Sequence, residues 1–130
     1  MEFRNNEAIY LQIAGYISEN ILVGKWHPDE KIPSVRELGT DLQVNPNTVM
    51  RTYEFLQNKE VIYNKRGIGF FVAPDAVKNI KLFRKERFLQ HDLPDFFRSI
   101  YHLEIDLNEI GKLYQKFKSE NFNSNGNENE

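Results

Sequence analysis

The chain contains no cysteine, so disulfides and thiolate-held metal sites are both excluded, and nothing calls for an oxidising compartment. It has no strong charge of either sign: 17 Lys and Arg against 19 Asp and Glu leave a formal net charge of −2. A basic coat spread over the whole surface is thereby excluded, although a local basic patch is not. Long apolar runs are missing too; none approaches the roughly 20 residues needed to span a bilayer. The first residues, Met1-Glu2-Phe3-Arg4-Asn5-Asn6, are polar and unlike a signal peptide. A soluble cytoplasmic protein is expected. At 130 residues, 40% of them hydrophobic and 13% aromatic, the chain can hold one domain, or one small domain with an appendage.

What is present reads as helices, then a hairpin, then helices. From Ala8 to about Val23 the spacing of Ile9, Ile13, Ile17 and Ile21 predicts a helix, with Gly24 as its C-cap. Ser34 followed by Glu37 forms a capping box and starts a second helix that buries Val35, Leu38 and Leu42. Asn45 is a good N-cap, with Pro46 at the first helical position of a third helix. In that helix Val49, Thr52, Tyr53 and Leu56 share one side. Asn47, Met50, Arg51 and Glu54 share the other, with Thr48 on the flank. Amides and a guanidinium near a helix start suit base edges and phosphates better than an ordinary Lys/Glu surface would. Two short helices joined by a tight turn make a helix-turn-helix.

Beyond Glu60 the pattern turns β-prone. Val61–Asn64 and Gly69–Ala73 are joined by Lys65-Arg66-Gly67-Ile68, a hairpin with a basic tip placed as a wing. After Pro74-Asp75 the chain becomes helical again, from Ala76 to about His91, from Asp92 to Tyr101, and from an N-cap at Asp106 with its partner Glu109. Asn121 onward is polar and of low complexity, and is expected to be a disordered tail.

Four stretches resemble the GntR family of bacterial transcription regulators, in family order and at family spacing: Ala8–Ile13, Ile32–Leu38, Val44–Val49 and Tyr63–Val72. The short helical C-terminal segment is similar to the YtrA-like subfamily. The resemblance implies a mainly α fold with a small β-hairpin: a winged helix-turn-helix at 1–74, a helical dimerisation segment at 75–120 and a tail at 121–130. It also implies a homodimer on a double-stranded, inverted-repeat DNA operator, and a repressor. The chain departs from the family pattern at Gln43 and Asp29, where glycine is usual, and at Gly39, where alanine is common. Pro46 and Met50 stand where other branches carry arginine, so no base preference carries over.

The residues expected at DNA are Ser34, Arg36, Asn45, Asn47, Thr48, Arg51, Tyr53, Lys65, Arg66 and Gly67. For Arg36 the alternative is a structural salt bridge, and for Tyr53 it is core packing. Ile80, Phe83, Phe88, Phe96, Phe97, Tyr101, Tyr114 and Phe117 are expected at the dimer interface, because so short a segment cannot hide that many aromatics alone. No catalytic residue, metal or cofactor is expected: His27, His91 and His102 are scattered without nucleophile–base or metal-pair spacing. Two other readings compete: a small-molecule effector in a groove at the aromatic dimer interface, and a winged helix that binds protein. The retained Arg36, Arg51, Lys65 and Arg66 disfavour the second.

Overall fold

The computed structural model describes Met1, Phe3 and residues 7–122. The order of elements is α1 (Ile9–Leu22), α2 (Val35–Leu42), α3 (Pro46–Asn58), β1 (Ile62–Lys65), β2 (Gly69–Val72), α4 (Ala76–Arg87), a π-helical turn (Phe88–Asp92), α5 (Leu93–His102) and α6 (Leu107–Asn121). The mainly helical fold with one small hairpin is the architecture expected from the sequence. The chain divides into two units, Met1–Lys85 and Glu86–Glu130.

The first unit is built on a single core. Ile13, Ile17 and Ile21 of α1 meet Leu38 of α2 and Val49, Tyr53 and Leu56 of α3, all buried. Val61, Ile62 and Val72 close the core from the hairpin side. Ile80 and Phe83 of α4 also belong to it; Phe83 sets its ring edge against Phe55 at 5.6 Å. These two residues were expected at a dimer interface, and their burial here corrects that expectation. The unit accordingly runs on to Lys85 rather than stopping at 74.

Local chemistry explains where the helices begin and end. At α2 the capping box is complete: Glu37 N–H donates to Ser34 Oγ at 3.0 Å, and Ser34 N–H donates to Glu37 Oε1 at 2.8 Å. Gln43 ends α2 in the left-handed region, φ 57 and ψ 48, which glycine adopts more cheaply. Asn45 caps α3 through its side-chain oxygen, which accepts from Asn47 N–H at 2.8 Å, and Pro46 follows at the start of the helix. Gly24, just past the end of α1, has φ 82, as a C-terminal glycine should.

The hairpin pairs β1 with β2 antiparallel, with Tyr63 opposite Phe71 and Lys65 opposite Gly69. Its tip is tight: Ile68 N–H donates to the Lys65 carbonyl at 2.9 Å, and Gly67 has φ 79. A third segment joins the far edge of β2. Lys31 forms a single antiparallel bridge with Phe71, Ile32 N–H donates to the Phe70 carbonyl, and Val72 N–H donates to the Glu30 carbonyl. The wing sheet is therefore three segments wide next to the start of α2.

In the second unit neither α5 nor α6 has a buried residue. The helix expected to run to about His91 changes pitch first, into the π turn. Pro94 has no N–H, and its ring would crowd the Gln90 carbonyl in a regular α-helix. The wider turn just before it, in which Leu93 N–H donates to the Phe88 carbonyl, makes room. Asp106 precedes α6 in extended geometry but makes no side-chain cap, contrary to expectation. The helix includes Asn121 and ends at Phe122, both expected in the tail, and 123–130 lies outside the described residues.

Candidate nucleic-acid interface

The start of α2, the outer face of α3 and the hairpin tip carry most of the residues expected at DNA. Ser34, Arg36, Asn45, Asn47, Arg51, Lys65, Arg66 and Gly67 are all exposed, and Thr48 is half-buried on the flank of α3. Among the described residues none of Arg36, Arg51, Lys65 or Arg66 is held in an ion pair. The structural salt bridge offered as the alternative for Arg36 is thus not formed there. A cation without a counter-ion is free to take a phosphate or a guanine edge.

Two of the four cations are held in place by rings. The Arg51 guanidinium lies over the Tyr10 ring of α1, 3.9 Å from its centroid. Tyr10 in turn packs edge-on to Phe55 at 6.1 Å, which links the arginine to the core. On the wing, Lys65 Nζ sits 4.6 Å from the Phe71 ring centroid. Such contacts reduce side-chain freedom without neutralising the charge.

Tyr53 does not belong to this surface. Its ring is fully buried against Phe70 at 4.8 Å, and its hydroxyl donates to the Pro33 carbonyl at 2.6 Å. Burial pushes its pKa well above the ordinary tyrosine value, with the Glu37 carboxylate adding to the rise. The hydroxyl is used up inside the fold, which corrects its assignment to a phosphate. Ser34 Oγ is occupied as an acceptor by the cap, and its hydroxyl also interacts with the Glu37 carboxylate.

The same accounting applies to Glu37, whose pKa is lowered from 4.5. The main cause is the Ser34 backbone N–H donated to the carboxylate, followed by the Ser34 side chain and, more weakly, the Lys31 charge. Lys31 was missed in the sequence because one bridging residue leaves no alternation to detect.

Residues 9–72 match the family described as bacterial regulatory proteins, gntR family. A crystallised transcriptional regulator of that family from Bacteroides thetaiotaomicron is 52% identical, superposes with a TM-score of 0.75, and is matched over 87% of this chain and 98% of its own. The chain belongs to the GntR family. Like other GntR members it is a transcription regulator rather than an enzyme, and it carries the family's DNA-binding domain.

Two relatives from Bacillus subtilis match along most of their length. The HTH-type transcriptional regulator YhcF is 32% identical over 84% of this chain and 88% of its own. The HTH-type transcriptional repressor YtrA is 28% identical over 90% and 89%. The DNA-binding domain of AraR, solved in complex with operator ORR3, is 32% identical over 56% of this chain and 88% of its own, with a TM-score of 0.51. Among the described residues, no helix of this chain is long and apolar enough to cross a membrane.

Proposed function

We propose that the protein is a repressor that binds an inverted-repeat operator as a homodimer. Arg36, Asn47, Thr48 and Arg51 meet the major groove, and Lys65, Arg66 and Gly67 of the wing meet phosphate or the minor groove. The observation that carries this reading is the group of four unpaired cations around the amide-bearing outer face of α3. The operator complex of AraR and the repressor name of YtrA, both similar to this chain, support it.

Dimerisation is supported by what α5 and α6 leave uncovered. Phe96, Phe97, Tyr101, Tyr114 and Phe117 are 38%, 47%, 79%, 56% and 52% exposed, and Leu103, Leu107 and Leu113 are exposed too. Patches on that scale in a small chain mark a partner face. A second copy is the partner whose symmetry fits a DNA-reading domain: two recognition helices about one turn of DNA apart read a palindrome.

Selection of bound duplexes from a random pool tests the DNA reading, and an enriched inverted repeat is expected. Polarisation titrations of that duplex should weaken as salt rises. Absence of any enriched sequence would sink the operator assignment. Sedimentation at micromolar concentration should give a dimer, and the paired change Phe97→Glu with Tyr114→Glu should give a folded monomer. A monomeric unmodified protein would remove the dimer. Transcription from a promoter fused to the selected repeat should fall when the protein is supplied; a rise would make it an activator.

A further inference from the structure

We infer that Lys31 is a DNA-phosphate contact, lying at the root of the wing between its tip and the start of α2. The inference rests on the DNA-binding reading above and adds a residue to it.

Residues paired across an antiparallel ladder project to the same face. Lys31 bridges Phe71, Tyr63 also pairs with Phe71, and Lys65 pairs with Gly69. One face of the wing sheet therefore carries two lysines around a stacked Tyr63–Phe71 pair, whose ring centroids are 5.6 Å apart. Gly69 provides the space: a Cβ there would meet Lys31 Cε at 2.9 Å and Nζ at 3.7 Å. The aliphatic stem of Lys31 thus lies across bare backbone, with its ammonium on the same side as that of Lys65.

The acids nearest in sequence or field are all engaged elsewhere. Asp29 Oδ1 accepts from the Tyr63 hydroxyl at 2.8 Å, Glu30 Oε1 accepts from His27 N–H at 2.8 Å, and Glu37 Oε1 accepts from Ser34 N–H at 2.8 Å. Among the described residues Lys31 has no ion pair, although its charge is felt at Glu37. An exposed cation laid along the sheet and left without a counter-ion fits an anion brought from outside. Its neighbours Ser34, Arg36 and Lys65 make a duplex phosphate the matching ligand.

The test uses the full-length protein and the duplex recovered by selection, with Lys31→Met and Lys31→Arg as variants. Methionine keeps the apolar stem over Gly69 and removes the charge; arginine keeps the charge. Lys31→Met should bind several-fold more weakly, with a log-affinity against log-salt slope shallower by about 1 and an unchanged melting temperature. Lys31→Arg should restore the slope. A wild-type slope and affinity in Lys31→Met would overturn the assignment while leaving the DNA reading intact. A Lys31→Met that melts early and keeps the slope would overturn it as well, since the side chain would then serve only to cover Gly69. Failure of the unmodified protein to bind the duplex would remove both readings together.

Discussion

The Tyr53 hydroxyl donates to the Pro33 carbonyl across 2.6 Å, tying the middle of α3 to the residue just before the cap of α2. The bond is part-buried, and the ring that carries it is fully buried. Tyr53→Phe keeps the ring and strands the carbonyl, so it should lower unfolding free energy by about 1–3 kcal/mol. Urea denaturation measures the loss, and the affinity for DNA should stay at the wild-type value. Weaker DNA binding by the folded variant would mean that the hydroxyl reaches a phosphate after all.

Arg36→Ala and Arg51→Ala should each abolish operator binding in a gel shift while leaving the protein folded. For Arg36, exposed and unpaired, stability should move by no more than about 0.5 kcal/mol. Arg51→Ala also loses the contact with Tyr10, worth about 0.5–1 kcal/mol at an exposed site. Circular-dichroism melting separates these small losses from unfolding. Wild-type affinity in both variants would remove these arginines from the interface.

Gln43 and Asp29 both sit at positive φ, 57 and 64 respectively, where the family commonly has glycine. Their substitutions should nevertheless behave differently. Gln43→Gly relieves left-handed backbone strain and should stabilise the protein by about 0.5–1 kcal/mol. Asp29→Gly relieves similar strain but removes the acceptor of the Tyr63 hydroxyl, so its gain should be smaller or absent. Chemical denaturation of the two single variants side by side decides it; equal gains would show that the Asp29–Tyr63 bond adds nothing.

Glu37 gives the start of α2 a pH dependence of predictable sign. Its folded pKa lies below the ordinary 4.5, so the stabilisation it gives is complete above that value and fades as pH falls through the folded pKa. Glu37→Gln can still accept from Ser34 N–H but does not titrate. The stability difference between wild type and variant should be flat near neutrality and shrink on acidification below about pH 4.5. A difference that stays constant down to pH 3 would contradict this origin of the shift.

Legibility from sequence followed the range of the interactions. The Ser34–Glu37 box, the Asn45–Pro46 start and the basic hairpin are local, decided within four or five residues, and all three are found in the structure. Contacts between distant segments were not legible. Nothing near Tyr53 in sequence reveals that Pro33 accepts its proton, and nothing near Phe83 reveals Phe55. Apolar residues at helical spacing in α4 signalled a buried face without saying whose core it enters. Asp106 shows the opposite failure: a favourable capping residue at the right offset whose side chain makes no cap. Within α3 the polar outer face was readable, whereas the folding-back of Arg51 onto a ring of α1 depends on packing between helices.

Gly39 closes the gap between the two helices of the DNA-reading motif. A Cβ on it would stand 3.0 Å from the Val44 carbonyl oxygen and 3.5 Å from Cα of Pro46, the first residue of α3. A single methyl group on α2 is thus the thinnest spacer that could be placed under α3. Where alanine occupies this position, the following turn has to give by a few tenths of an ångström. The distance between α2 and α3 is therefore adjustable from a buried residue of α2.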